Sequence, residues 1–345
     1  MTNQPALRIG VVGCGYQGAA LAAALARIDS LHLVACADPD RAAASRLAAT
    51  QRDVSTHASV DALLGESEVD AILVATPHHV LAPVTLAALE AGKHVMVEKP
   101  IALNAQEAAQ IEAVADRTGV CCMSGYSFRY AMAKPVRELV NAGAVGEVQA
   151  FSGTIGLPPL NEGWSAYPES GGGPLLYVGS HLVDFILWFL DEPVQVSADV
   201  RRRADTGADE TSAFRIRFAS GALAQGVVTQ TAPSFFYSFE ILGRQGRITL
   251  RGVNFLQYEL EVTSQALAAY AQPAVIRPRI WQDNVTMMFV PELIDFARSI
   301  HEQRPAPITA RDGRRVLQVL DAIGQSGQAG VPVVLSPEAA SPVLS

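Results

Sequence analysis

The apolar positions of this chain follow two different rules. Up to about residue 124 they come as short unbroken runs: Leu7–Val12, Leu31–Ala37, Ala71–Ala75, His94–Val97 and Val120–Ser124. Runs without polar alternation read as strands covered on both faces. Between them lie helical segments, Ala19–Ile28, Val80–Ala91 and Asn104–Thr118. Gly92 closes the second. The third opens on Asn104 as N-cap, with Glu107 three residues on. Repeated strand-then-helix units predict a parallel sheet wound on both faces, with ligands bound beyond the carboxyl ends of its strands.

After a helix predicted over Pro135–Ala142 the period changes. Apolar and polar residues alternate along Glu147–Gly153, Val194–Arg202, Ser212–Phe218, Ala222–Gln230 and Ser238–Leu242, with turn signals at Ser220-Gly221 and Gly243–Gly246. That pattern predicts a large, mostly antiparallel open sheet with one face on a core. Helices over Pro291–Glu302 and Asp312–Gly324 follow, and the tail after Ser336 is expected to be loosely held. The predicted fold is α/β with a doubly wound parallel sheet over residues 1–122. An α+β domain follows over residues 123–345, its late helices placed to pack back on the first domain.

A length of 345 residues agrees with two domains. At 49% hydrophobic and 17% charged, the chain can bury large cores. A net charge of -8 argues against a nucleic-acid partner. The one basic run, Arg201–Arg203, precedes Asp205, Asp209 and Glu210, as at a solvated strand end. The most apolar helical stretch, near Leu182–Leu190, is too short to span a bilayer, and no basic, apolar leader precedes Leu7, so no membrane partner is expected. Four cysteines without a Cys-x-x-Cys fit a reduced, cytoplasmic setting. An open sheet face that helices need not cover predicts a homodimer or homotetramer through the C-terminal sheet.

Chemistry concentrates at strand ends. The first strand runs into Gly13-Cys14-Gly15-Tyr16-Gln17-Gly18, then a helix, a second strand and Asp38. This is the dinucleotide-binding arrangement of a Rossmann domain. Gly13 permits the tight turn, Gly15 lets the backbone approach a pyrophosphate, and Gly18 lets helix and strand pack closely. Tyr16 and Gln17 share that loop, and the helix start offers free N–H groups to an anion. Asp38 would accept hydrogen bonds from the adenosine ribose and repel a 2′-phosphate, which favours NAD over NADP; Arg41 softens that preference. Thr76, Pro77 and Glu98-Lys99 stand at further strand ends. The adjacent His78 and His79 point apart and lack a third ligand nearby, so no metal is expected, and His79 reads as a cofactor-side or structural hydrogen bonder. Lys99 is one of only three lysines in a chain that otherwise uses Arg. Gly171–Gly173 would let the backbone approach a ligand, and the following helix carries His181 and Asp184 three apart on one face. Either Asp184 orients the imidazole, or the two form a satisfied pair that holds helix to sheet.

Together these residues resemble the Gfo/Idh/MocA family of sugar-oxidising dehydrogenases, over nearly the whole chain. The likeness rests on Gly13–Gly18, Ala75-Thr76-Pro77, Glu98-Lys99-Pro100, Gly125-Tyr126 with Arg129, Gly171–Gly173 and Gly179-x-His181-x-x-Asp184. It implies a sugar or polyol substrate in the cleft, Lys99 on the reacting oxygen near the nicotinamide, and a cis Lys99–Pro100 bond. Two positions depart from the family pattern. Tyr177 stands where an Asp usually precedes the motif His by four, and Leu81 where a His is common. Two proton paths stay open: Lys99 with Tyr177, its hydroxyl acidified by the ammonium, or His181 with Tyr177 only binding. Trp164 and Tyr167 are expected to stack on a sugar face, and Arg129 to grip a polar or anionic substituent; Tyr126 and Asp184 complete the expected substrate set. The favoured activity is NAD-dependent hydride transfer to or from a secondary hydroxyl or ketone of a sugar, polyol or derivative. The alternatives are redox-neutral glycoside cleavage or epimerisation through transient oxidation, and a non-catalytic NAD-binding sensor.

Overall fold

The computed structural model describes residues 5–65, 68–254, 257–277 and 285–336; the tail beyond Ser336 lies outside them. The unbroken apolar runs form β1 (Leu7–Val12), β2 (Leu31–Ala37), β4 (Ala71–Val74), β5 (His94–Glu98) and β6 (Cys122–Gly125), with the short β3 (Ser55–His57) at one edge. All pair in parallel, in the order β3-β2-β1-β4-β5-β6. Ile9, Val11, Ile72, Leu73, Val95 and Val97 are fully buried, which is why these strands carry no polar face. Helices α1 (Tyr16–Leu25), α2 (Arg41–Ala48), α3 (Val60–Leu64), α4 (His78–Glu90) and α5 (Ala105–Thr118) cover the sheet. Asn104 caps α5 by accepting the Glu107 N–H at 2.9 Å. The chain leaves β1 for β2 on one side and returns to β4 on the other, so the loops after β1 and β4 flank the crevice where such sheets bind ligands.

After α6 (Lys134–Asn141) the chain builds a second sheet of nine strands. These are β7 (Val148–Gly156), β8 (Pro193–Arg202), β9 (Asp209–Phe218), β10 (Leu223–Thr229), β11 (Phe236–Gly243), β12 (Gly246–Gly252), β13 (Tyr258–Ser264), β14 (Ala274–Ile276) and β15 (Val333–Val334). Their order is β14-β13-β12-β11-β7-β10-β9-β8-β15, antiparallel except where β7 meets β10. The last four strands in chain order are additions to the sequence reading. β12 and β13 do alternate, with Arg247 and Arg251 paired across to Glu261 and Glu259.

One face of this sheet packs on α7 (Ser180–Phe189). Gly153 leaves the space that the Leu182 side chain fills; a Cβ there would sit 2.4 Å from it. The opposite face is exposed along β9 and β10. Of the late helices, α8 (Val290–His301) and α9 (Ala310–Ala329), the second opens on a capping box between Thr309 and Asp312. It packs on α5, where Asp321 accepts the Ala105 N–H at 2.9 Å and Arg314 pairs with Glu112. Two π-helical turns interrupt regular helix, at Arg129–Ala133 and Leu175–Gly179.

Candidate active site

The glycine loop meets its turn and packing demands with measurable clearances. Gly13 has φ +92°, and a Cβ there would lie 2.5 Å from the Ala75 carbonyl oxygen. A Cβ at Gly18 would come within 1.9 Å of the Gly13 carbonyl oxygen. Gly15 is different: no described residue has an atom within 4 Å of its missing Cβ. The backbone is thus stripped at the N-terminus of α1 and stands clear of the described residues, none of whose side chains caps that terminus. Asp38, past the end of β2, accepts the Cys14 N–H at 2.7 Å and the Asp40 N–H at 2.8 Å. A carboxylate has about four lone-pair sites, so two remain for hydroxyl donors. Loop, helix start and acid fit a dinucleotide pyrophosphate and ribose. Arg41 is exposed at the start of α2.

A cavity of about 220 Å³ opens beside this loop. Tyr16, Gln17, Thr76, Glu98 and Lys99 line it from the first sheet, and Trp164, Tyr177 and His181 from the second half. Lys99 follows β5 through a cis Lys99–Pro100 bond. Its ammonium donates to the Tyr177 carbonyl oxygen at 3.0 Å and lies 5.0 Å from the Tyr177 ring centroid. Burial lowers the Lys99 pKa, and the Glu98 carboxylate opposes that shift. Glu98 is buried, accepts the Gln17 amide at 2.6 Å and the Lys99 backbone N–H at 3.2 Å, and has its pKa raised by burial. Gln17 is therefore committed to Glu98 from within the nucleotide loop.

The expected acidification of Tyr177 is not found. Its pKa is raised, by burial and then by the charges of Glu98 and Tyr16. The ammonium meets the ring face and the backbone carbonyl, so it gives a phenolate little support. His181 stacks on Phe128 at 3.7 Å, and burial with the nearby Lys99 charge drives its pKa well below the usual imidazole value. Its Nδ1 is buried and has no hydrogen-bond partner among the described residues.

Asp184 does not orient that imidazole. Its carboxylate binds Arg129, with Nε–Oδ2 at 2.9 Å and Nη2–Oδ1 at 2.6 Å, and both residues are buried. The same pair occupies Arg129, whose guanidinium lies over Trp188 at 5.2 Å and is not part of the cavity lining. A carboxylate removed from water takes the strongest donor within reach, and the bidentate fork outbids an imidazole N–H. Tyr126, expected on the substrate, is not part of the cavity lining: it is fully buried and edge-on to His181 at 6.0 Å. Tyr167 is 49% exposed and does not line the cavity, whereas Trp164 does.

The two histidines after Pro77 exchange roles. His79 is exposed, while His78 is buried at the start of α4 and lines the cavity. His78 Nδ1 lies 2.8 Å from the Gly171 carbonyl oxygen, and its ring sits 4.4 Å from Trp164 and 5.8 Å from Tyr177. The adjacent pair in the sequence gives no sign of which ring turns inward; the first turn of α4 decides it.

A profile described as "Oxidoreductase family, NAD-binding Rossmann fold" (GFO/IDH/MocA) matches residues 7–126, and "GFO/IDH/MocA C-terminal domain" matches residues 134–249. The chain is 31% identical over 203 residues to a 1,5-anhydro-D-fructose reductase of Ensifer adhaerens, a match covering 56% of this chain and 61% of the relative. It is 30% identical over 251 residues to a dTDP-3,4-didehydro-2,6-dideoxy-alpha-D-glucose 3-reductase of Saccharopolyspora spinosa, covering 71% and 74%. Among solved structures, a levoglucosan dehydrogenase in complex with NADH and L-sorbose superposes with TM-score 0.87 at 21% identity, over 96% of this chain and all of that one, an agreement in fold.

Proposed function

The chain belongs to the GFO/IDH/MocA family of oxidoreductases, and from that premise we propose that it moves a hydride between NAD and a secondary hydroxyl or ketone of a sugar, polyol or sugar derivative. The observation that carries this is Lys99: an amine of lowered pKa at a strand end, lining the same cavity as the nucleotide loop and His181. Residues 1–122 then form the NAD-binding unit and residues 123–345 the substrate and assembly unit. Gly13, Gly15, Gly18 and Asp38 would hold the dinucleotide, which supplies the hydride acceptor for oxidation. Phosphate on the ribose would meet the Asp38 charge, so NAD is preferred over NADP.

In this reading Lys99 binds the reacting oxygen. As the free amine it takes the hydroxyl proton; as the ammonium it stabilises negative charge on that oxygen. Glu98 works against complete loss of the lysine charge, and the Tyr177 carbonyl and ring hold the ammonium in place. His181 is neutral and supplies a hydrogen-bonding nitrogen to the same oxygen, without itself carrying charge. Tyr177, held in its neutral form, contributes a hydroxyl and an aromatic face. We place assembly on the open face of the second sheet, where Leu223, Val227 and Leu242 are exposed beside charged neighbours, and the working compartment in the cytoplasm.

A panel of sugars and polyols assayed for NADH formation tests the proposal. Lys99→Met should lower kcat/KM by about 10³-fold while NADH still binds. Oxidation should gain rate as pH rises through the lysine pKa, at a pH below the ordinary lysine value of 10.5. Glycoside cleavage without net NADH, or unchanged turnover in Lys99→Met, would each sink this assignment.

A further inference from the structure

His78 has a feature that neither the family likeness nor the glycine loop calls for. Its Nδ1 lies 2.8 Å from the Gly171 carbonyl oxygen. A carbonyl only accepts, so the proton of that bond resides on Nδ1. The ring is kept neutral: burial first, and then the charge of Lys99, lower its pKa to about 3. A neutral imidazole protonated at Nδ1 has a bare lone pair at Nε2. Nε2 is therefore an acceptor with no donor capacity, fixed in tautomer by the glycine turn across from it.

The surroundings say what that acceptor can receive. The His78 ring lines the same cavity as Lys99. It lies against Trp164 at 4.4 Å and Tyr177 at 5.8 Å, both from the second half of the molecule. Two aromatic faces beside one fixed acceptor suit a ring with an apolar C–H face and an outward hydroxyl. The glycine turn is itself fixed at this spot, since a Cβ on Gly171 would lie 2.6 Å from the His78 Cβ. At φ +78° the same position resists any other residue.

We propose that His78 is a specificity-determining residue, whose Nε2 accepts a hydrogen bond from a substrate hydroxyl neighbouring the one held by Lys99. The site thereby selects substrates with a donor hydroxyl there, and rejects analogues that are deoxy, O-methylated or oxidised at that carbon. A buried acceptor left without its donor is the source of the discrimination. This inference rests on the sugar-oxidoreductase reading.

The full-length protein is titrated with sugars and polyols in the presence of NAD(H), following both NADH formation and tryptophan fluorescence, which Trp164 reports from the cavity wall. His78→Phe keeps a ring and removes the acceptor; His78→Gln keeps an acceptor oxygen. Loss of kcat/KM by about 10- to 100-fold in His78→Phe, mostly in KM, is expected, with His78→Gln recovering to within about tenfold of wild type. NADH affinity should stay within about twofold in both, which also shows that the variants fold. A deoxy analogue lacking the paired hydroxyl should lose the same factor on wild type and nothing further on His78→Phe. The pH profile should keep its limbs, which a proton-carrying His78 would not allow. Equal kcat/KM across the panel for wild type and His78→Phe overturns the inference, as does a fall in NADH affinity matching that in sugar affinity. Should wild type form no NADH with any sugar, the function reading fails, and fluorescence decides the inference separately. Saturable sugar binding lost in His78→Phe supports it; no sugar binding by wild type overturns it.

Discussion

The nucleotide loop after β1 and the cleft wall from Gly171 to Asp184 both combine glycines with a helix start, yet they encode the site in opposite ways. In the loop the information lies in the backbone. Gly13, Gly15 and Gly18 matter for the atoms they lack, and each is interpretable from its spacing within a few residues. In the wall the information lies in side chains whose partners come from far along the chain. Lys99 reaches Tyr177 across 78 positions, and Arg129 reaches Asp184 across 55. A backbone-coded site survives transfer from sequence to structure; a side-chain-coded one is settled by which distant partner the fold brings within reach.

The hardest test of that contrast is at the buried pair. Asp184→Ala leaves Arg129 charged and unpaired in the interior, and should cost about 3–5 kcal/mol of stability in chemical denaturation. If Asp184 instead served His181 alone, the loss would appear in turnover with stability nearly intact.

Asp209 gives the next effect, through pH. Its carboxylate accepts the Leu175 N–H at 2.8 Å and so anchors the glycine turn to β9, while burial raises its pKa from 3.8 to about 6. The fold therefore binds this proton more tightly than the unfolded chain does. The contribution to stability is full below pH 3.8 and is lost as pH rises through about 6, at most about 3 kcal/mol. Asp209→Asn should flatten that part of the stability profile.

Within the loop, two glycines separate packing from binding. Gly18→Ala drives a methyl into the Gly13 carbonyl and should lower stability by about 1–3 kcal/mol. Gly15→Ala meets no atom of the described residues, so thermal stability should hold while NADH affinity falls, as titration would show. Equal melting losses in both variants would erase the distinction. The smallest effect is expected at Tyr167, where replacement by Ala should change kcat/KM by no more than about twofold, because the ring faces solvent.

How far the sequence could be read follows the same division. Unbroken apolar runs mark five strands of the six-stranded sheet, and Gly13 through Asp38 mark its ligand edge, because both depend on near neighbours; β3, three residues with no apolar run, carries no such signal. The antiparallel sheet is legible from alternation over β7 to β11, and β12 and β13 carry the same alternation although neither is among the predicted strands; β14 and β15, at the edges, are too short to show a period. His181 and Asp184 do share a helix and a spacing, yet spacing could not foresee that Phe128 would take one and Arg129 the other. The inward turn of His78 was equally hidden, since it is fixed by a carbonyl 93 positions away.

The π-helical turn at Leu175–Gly179 has one more consequence. Residues four apart in a regular helix share a face, so Tyr177 and His181 would stand in phase. A turn closed by i to i+5 bonds adds one residue to the count. Both rings still line the one cavity, with Tyr177 beside His78 and Trp164 and His181 stacked on Phe128. The extra residue shifts the phase of the chain before Leu175 against α7, the helix that carries His181. Removing one residue there would rotate everything before it by about 100° relative to α7, so the spacing of the motif and the geometry of the cleft are set by a single insertion.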